Sequence, residues 1–207
     1  MPIRCIAGLG NPGLRYRWSR HNAGFWIVDR LSHEVGVKWE RRDSAFETSG
    51  DIDGEEIVLL KPQTYMNRSG EAVSACLGRH GFGPEELLVV VDDVALPSGR
   101  LRVRPSGSAG GHRGLLSIEE SLESRDYARL RIGVEGDREE DEDLADYVLR
   151  PLSEDGKALF KGVIERGVEA VRIILREGLP KAMNRFNPVP HEEGERPATR
   201  AGETGVG

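Results

Sequence analysis

Leu87-Leu-Val-Val-Val91 is the stretch that most narrows what this chain can fold into: an unbroken apolar run closed by Asp92-Asp93. A strand with one face in water alternates apolar and polar residues, whereas a continuous run fits a central strand covered on both faces. Two covered faces call for helices on either side of a sheet, and the flanking sequence supplies strands and helices in alternation. Ile3–Leu9 reads as a short buried strand ending in a Gly-Asn-Pro-Gly turn. Ile27, Val28, Leu31 and Val35 follow helical spacing, with Gly36 as the stop. Ala45–Asp51 and Glu55–Leu60, joined by Asp53-Gly54, read as a hairpin. Ser69-Gly-Glu opens a helix carrying Val73, Cys76, Leu77 and His80, and Leu101–Arg104 alternates as a more exposed strand. A glycine-rich loop, Gly107–Gly114, leads into a helix with Leu115, Ile118 and Leu122; Leu130–Val134 is a further strand. The acidic run Glu139–Asp143 reads as a solvated loop or helix start, and Glu154–Arg176 as a long amphipathic helix. The expectation is one α/β domain over residues 1–187, a mixed β-sheet flanked by helices. The segment 188–207, rich in Gly, Pro, Glu and Arg, is expected to be a disordered tail.

Size and composition agree with one domain. A chain of 207 residues with 38% hydrophobic and 31% charged residues has enough apolar surface for one core. No apolar run approaches the roughly 20 residues of a membrane helix, and the N-terminus lacks the basic-then-apolar layout of a signal peptide; a cytoplasmic monomer is expected. Cys5 and Cys76 sit among apolar neighbours and read as two reduced, buried thiols. No zinc-type spacing of Cys and His is present in the sequence. The net charge of −6 argues against a polyanionic partner only until it is divided. Residues 1–134 hold 18 Lys+Arg against 18 Asp+Glu, and 135–207 hold 11 against 17, so a local basic face remains open to the first part.

Gly8-Leu-Gly-Asn-Pro-Gly13 matches the spacing of a dinucleotide-binding loop, and Asp29 follows at about 20 residues, as the ribose-binding acid would. That use requires a helix whose first amides face the pyrophosphate. Pro12 removes one of those amides, Arg15-Tyr-Arg-Trp18 does not read as such a helix, and Asp29 belongs to a helix rather than a strand end. A nucleotide-dependent oxidoreductase thus rests on the first loop alone.

Polar residues gather where strands end and loops begin, the places that collect chemistry in open α/β sheets. Asn11 follows the first strand, His21-Asn22 closes the next loop, Asn67 follows Tyr65-Met66, Asp93 ends the central strand, and His112-Arg113 stand in the glycine-rich loop. An imidazole is the usual general base near neutral pH, and a carboxylate on its second nitrogen fixes the tautomer and makes it more basic. One His, one Asp and the carboxamides around them suffice to activate a water, so the residues alone point to an α/β enzyme with a His base. No Ser or Cys stands at a nucleophile elbow, which favours direct attack by water. Each of these residues has a structural alternative: the His at a helix start, the Asn in a backbone cap, the Asp pair in a turn or on a cation.

At these same residues the chain resembles the bacterial-type peptidyl-tRNA hydrolases. The likeness runs in order through Gly8–Gly13, Arg20-His-Asn-Ala-Gly24, Pro62-Gln-Thr-Tyr-Met-Asn67 with Ser69-Gly70, Val91-Asp-Asp93, Gly110-Gly-His-Arg-Gly-Leu115, Arg129-Leu-Arg-Ile-Gly133 and Lys181-Ala-Met-Asn-Arg185. The resemblance implies hydrolysis of the ester between a peptide and the terminal ribose of tRNA, with no metal or other cofactor. It implies that His21 activates water, that Asp93 orients it, and that Asn11 helps select N-blocked substrates. Tyr16, Tyr65 and Asn67 would line the site, and Arg104 and Arg131 would meet the 5′ phosphate of the tRNA. Independently, Arg100, Arg102 and Arg104 are spaced to share one strand face, though a solvated strand edge has the same look. Arg113 departs from the asparagine that well-known members carry, and arginine donates hydrogen bonds but accepts none. Glu135-Gly136-Asp137 is more acidic than usual for the family. The alternative implied by the same likeness is a non-catalytic RNA-binding relative that keeps the fold.

Overall fold

The computed structural model describes residues 2–188. In chain order they form β1 (Cys5–Gly8), α1 (Ala23–Glu34), β2 (Glu40–Arg42), β3 (Ala45–Ile52), β4 (Glu55–Pro62), α2 (Ser69–His80) and β5 (Leu87–Pro97). There follow β6 (Leu101–Arg104), α3 (Arg113–Leu122), β7 (Ala128–Glu135), α4 (Leu144–Leu149), α5 (Glu154–Glu177) and α6 (Leu179–Phe186). The seven strands make one mixed sheet in the order β2-β3-β4-β1-β5-β7-β6. Strands β4, β1, β5 and β7 are mutually parallel, while β3 pairs antiparallel with β4, β2 with β3, and β6 with β7. Parallel strands run to the same side of the sheet, so the loops after Gly8 and Pro62 converge there beside Asp92 and Asp93 of β5.

The apolar run of β5 is covered as its composition requires. Leu88 and Val90 join Ile6, Leu130 and Ile132 in a layer packed against α1, α5 and α6. Val89 and Val91 join Ala7 and Leu60 against α2 and α3. All five residues of the run are fully buried, each side chain contributing about 1.5–3 kcal/mol of hydrophobic stabilisation. The 3–4 hairpin turns at Asp53-Gly54 with φ of 57° and 91°, the double left-handed geometry that Asp-Gly favours.

The opening glycine motif serves packing. A Cβ on Gly8 would lie 2.4 Å from the Gly24 carbonyl oxygen, and one on Gly24 would lie 2.3 Å from the Val90 carbonyl oxygen. The start of α1 therefore rests directly on the backbone of β1 and β5. After Gly13 the chain makes two 3-10 turns, Leu14–Tyr16 and Arg20–Asn22, and α1 begins only at Ala23. Asp29 is paired with Lys61. Among the described residues no α-helix begins inside the glycine motif, and the dinucleotide interpretation fails on that ground.

The acidic stretch ends in a helix. Asp143 accepts from the Ala145 amide at 2.8 Å and caps α4. Two short elements escape the periodicity reading, β2 and α6; α6 packs Ala182 and Phe186 into the main core. Beyond it the Asn187 side chain accepts from Val103 N at 2.7 Å and donates to Val103 O at 3.0 Å, filling one edge position beside β6. The expected tail, apart from Pro188, lies outside the described residues. Among the described residues, no helix is long and apolar enough to cross a membrane.

Candidate active site

A cleft of about 550 Å³ opens at the carboxyl ends of the parallel strands, and Asn11, Tyr16, His21, Tyr65, Asn67 and Arg113 all line it. Arg131 and Asp93 reach it as well. Of the expected site residues, Arg104 alone stands outside, exposed on β6.

The structure corrects the partner of His21. Its Nδ1 lies 2.9 Å from both carboxylate oxygens of Asp92, not Asp93. The reason is strand parity, since alternate residues face opposite sides of a sheet. Leu88, Val90 and Asp92 share the face packed on α1, and His21 stands in the 3-10 turn Arg20–Asn22 immediately before that helix. Asp93 falls on the other face, with Val89 and Val91. There its Oδ2 is 3.1 Å from Arg131 Nε, and its Oδ1 accepts from the Ala95 amide at 3.0 Å.

Asp92 is also shared with a second imidazole. His112 Nε2 lies 3.1 Å from Asp92 Oδ1, and the two rings are 4.9 Å apart. His112 caps α3: its Nδ1 accepts from Gly114 N at 3.1 Å and Leu115 N at 3.4 Å. A nitrogen that accepts carries no proton, so the His112 proton resides on Nε2 and is donated to Asp92. His21 in turn donates from Nδ1 to the same carboxylate. This leaves His21 Nε2 as a lone pair on a ring that lines the cleft. Asp92 is fully buried, which alone would favour its neutral form, but the two imidazoles hold it well below the usual carboxylate range. For His21, burial pushes the imidazole down and the Arg113 charge pushes the same way. The charge and hydrogen bond of Asp92 outweigh both, and the pKa ends above the ordinary 6.5. The result is an oriented base, strengthened by its partner.

Asn11 is fixed from two sides. Its backbone N donates to Asn22 Oδ1 at 2.8 Å and its carbonyl accepts from Asn22 Nδ2 at 3.0 Å, locking the loop after β1 to the start of α1. The Asn11 Oδ1 accepts from Met66 N at 2.8 Å. That bond orients the amide so that Nδ2 is the group left for a ligand. Tyr65 and Asn67 are exposed at the rim on either side of buried Met66.

The opposite wall is α4, which brings Leu144, Ala145, Val148 and Leu149 to the cleft. It is tied down by Tyr147, whose hydroxyl donates to Val134 O at 2.6 Å. The acidic segment before it meets arginines of the site's own framework: Asp137 pairs with buried Arg20, and Glu142 Oε1 lies 3.2 Å from Arg150 Nε. The Arg20 guanidinium also stacks 4.3 Å over the Tyr147 ring.

The arginines divide. In the antiparallel pair of β6 and β7, Arg102 opposes Arg131 and Arg104 opposes Arg129, so all four share one face. Arg129 is buried against Glu119. Arg131 is engaged by Asp93, and Arg104 is exposed. Arg100 precedes the strand and donates to the Pro188 carbonyl at 2.7 Å, so it leaves the expected stripe.

Among the described residues, two clusters have donor atoms close enough to hold a cation. Those of His21, Asp92 and His112, and those of Glu47, Cys76 and His80, lie within 4.8 Å of one another. In the second, Glu47 bridges Arg79 and His80 of α2 to β3. Asp92, His112 and Asn22 are candidate site positions to which the sequence alone assigned no catalytic part. Asp92 is told from Asp93 only once α1 lies on the face of Leu88 and Val90, and the other two need the folded loops.

Fold and cleft together define an open α/β protein with a carboxylate-oriented imidazole at the carboxyl ends of its parallel strands. The peptidyl-tRNA hydrolase family model matches residues 5–195, and the chain belongs to that family. It is 45% identical over 187 residues to the peptidyl-tRNA hydrolase of Moorella thermoacetica, covering 89% of this chain and 98% of the relative. Against the peptidyl-tRNA hydrolase of Chloroflexus aurantiacus it is 46% identical over 186 residues, covering 89% and 98%. The crystal structure of the Acinetobacter baumannii peptidyl-tRNA hydrolase superimposes with a TM-score of 0.83 at 33% identity, over 89% of this chain and 94% of that one.

Proposed function

We propose that this cleft hydrolyses the ester joining a peptide to tRNA, releasing free tRNA and a peptide acid. The observation that carries the mechanism is the pair of 2.9 Å contacts between His21 Nδ1 and buried Asp92, which leaves Nε2 as the basic nitrogen. Water attacks the ester carbonyl while Nε2 takes its proton. The tetrahedral oxyanion then collapses, and the departing ribose oxygen receives that proton from the imidazolium. Asn67 and Arg113, both on the cleft, are the candidate donors to the oxyanion. Asn11 Nδ2 is suited to a peptide carbonyl, which an N-blocked residue has on its amino side and a free aminoacyl group lacks. Recognition through backbone amides suits an enzyme that accepts many peptides. Arg131, with Arg104 beyond it on the same sheet face, is the candidate clamp for the tRNA 5′ phosphate, positioning the substrate without reading sequence.

The test uses N-acetyl-aminoacyl-tRNA with and without a chelator. Release of tRNA by the wild type that survives chelation, and its loss in His21→Ala, is the expected result. Full activity in His21→Ala refutes the His21 mechanism, and loss on chelation refutes metal independence.

A further inference from the structure

The Glu47–Cys76–His80 cluster lies away from the catalytic cleft, and the cavity beside it shares no lining residue with that cleft. Cys76 and His80 stand four residues apart on α2 and so lie on one face of that helix. The face meets β3, where alternation puts Glu47 on the inner side with Ala45. Glu47 and Cys76 are buried, at 6% and 0% exposure, and His80 stands at the rim. The two oxygens of Glu47 are divided: Arg79 holds Oε2, while Oε1 lies 2.8 Å from His80 Nε2. Arg79 Nη1 is also 3.1 Å from Asp43 Oδ2, so its charge has a second partner. A carboxylate oxygen, an imidazole nitrogen and a thiol sulfur within 4.8 Å of one another are the donor set of a thiophilic divalent cation.

We propose that this cluster binds Zn²⁺ or a cation of the same class through Glu47 Oε1, His80 Nε2 and Cys76 Sγ. The ion takes the place of the hydrogen between Oε1 and Nε2. Bond lengths of about 2.0–2.3 Å set tetrahedral ligands roughly 3.3–3.8 Å apart. The three atoms therefore close by about 1 Å, a shift open to a side chain at the rim such as His80. Binding releases the thiol proton of Cys76 to solvent and leaves the proton of the neutral His80 ring on Nδ1. Thiolate and carboxylate then balance the charge of the ion, as burial requires. A cavity of about 450 Å³ beside β3 and the end of α2, lined by Glu47, His80, Arg79 and Thr48, supplies the entry path and room for a water as fourth ligand. The surroundings hold the ligands in place: Arg79 keeps Oε2, and the His80 ring stacks on Phe82 with centroids 5.2 Å apart. The bound ion clasps the C-terminal turn of α2 to β3. One helix supplies two ligands and a strand the third, which is why no zinc-type spacing shows in the sequence. The site is independent of the hydrolase function.

The experiment titrates Co²⁺, then Zn²⁺, into the full chain after chelator treatment and desalting. Cobalt reports sulfur ligation through a thiolate-to-metal charge-transfer band, which the sulfur-free cluster of His21, Asp92 and His112 cannot give. The wild type should show that band, saturating at one equivalent. Zn²⁺ should displace the cobalt and raise the thermal midpoint. Cys76→Ser should lose the band, and His80→Ala should bind at least about tenfold more weakly. A melt of each metal-free variant checks its fold, and His80, at the rim, can be replaced without opening the core. Absence of the band in the wild type overturns the site. A band that persists in Cys76→Ser, or wild-type affinity in His80→Ala, overturns it as well.

Discussion

Asp92→Asn is the sharpest probe of the site, because two imidazoles place opposite demands on that side chain. His112 Nδ1 is committed as an acceptor to the first amides of α3, so its Nε2–H requires an acceptor at position 92. An asparagine there would turn its carbonyl to His112 and its NH2 to His21. The His21 Nδ1 would then have to accept, which moves its proton to Nε2 and blocks the nitrogen that takes the proton from water. General-base assistance is worth roughly 10²–10⁴-fold, about 3–5 kcal/mol at 1.36 kcal/mol per decade. Asp92→Asn should therefore lower the single-turnover rate of tRNA release by that factor with the fold retained, as read by a thermal melt. Asp93→Asn removes only the charge that partners Arg131 and keeps an oxygen able to accept from the Ala95 amide. Asp93 is buried and makes no contact with His21, so the loss of its pair with Arg131 should appear in the thermal melt, while the single-turnover rate stays within about threefold of wild type. A protein in which Asp93→Asn abolishes turnover while Asp92→Asn stays within tenfold of wild type would refute both the parity argument and the tautomer argument.

Other tests address separate parts of the structure. The imidazole of His21 must be neutral to accept a proton, so kcat/KM should climb with pH through a pKa above 6.5; because Arg113 pushes that pKa down, Arg113→Ala should move the limb to higher pH, and a limb that moves lower contradicts the assignment. Arg104→Ala should raise KM, leave kcat unmoved, and flatten the log–log salt dependence of binding by about one unit; a fall in kcat alone would remove Arg104 from the phosphate clamp. Asn22→Ala strips the bonds to Asn11 N and O and strands a buried amide. It should cost about 1–3 kcal/mol in a denaturant titration, with a further loss of activity from the freed Asn11 loop, and a neutral result would mean that water replaces the amide.

Much of this arrangement is legible before folding, for reasons that differ by element. Leu87–Val91 announces a central strand because burial on both faces leaves no polar position, and Asp53-Gly54 announces its turn because few residue pairs tolerate two left-handed conformations. The strand β2, Glu40-Arg-Arg42, is silent because it is short, exposed and charged; it forms through hydrogen bonds to β3, and its composition carries no period. The helix α6 is silent for a related reason: only Ala182 and Phe186 are buried in it, too few to set a period. Its position comes from packing against α5 and β6.

The misassigned carboxylate follows from the same physics that makes the strand so easy to find. A strand buried on both faces shows no alternation, so Leu87–Val91 carries no record of which face holds its odd or even residues. At the end of such a run, Asp92 and Asp93 are equivalent as sequence. They become distinct only when α1 is laid on the face of Leu88 and Val90, and what permits that approach is the absence of side chains at Gly8 and Gly24. The close contact of α1 with β1 and β5 thereby sets the height of His21 over the sheet and selects the carboxylate it meets. Gly24→Ala is accordingly expected to injure activity as well as stability, because a Cβ 2.3 Å from the Val90 carbonyl oxygen lifts the segment that carries His21 away from Asp92.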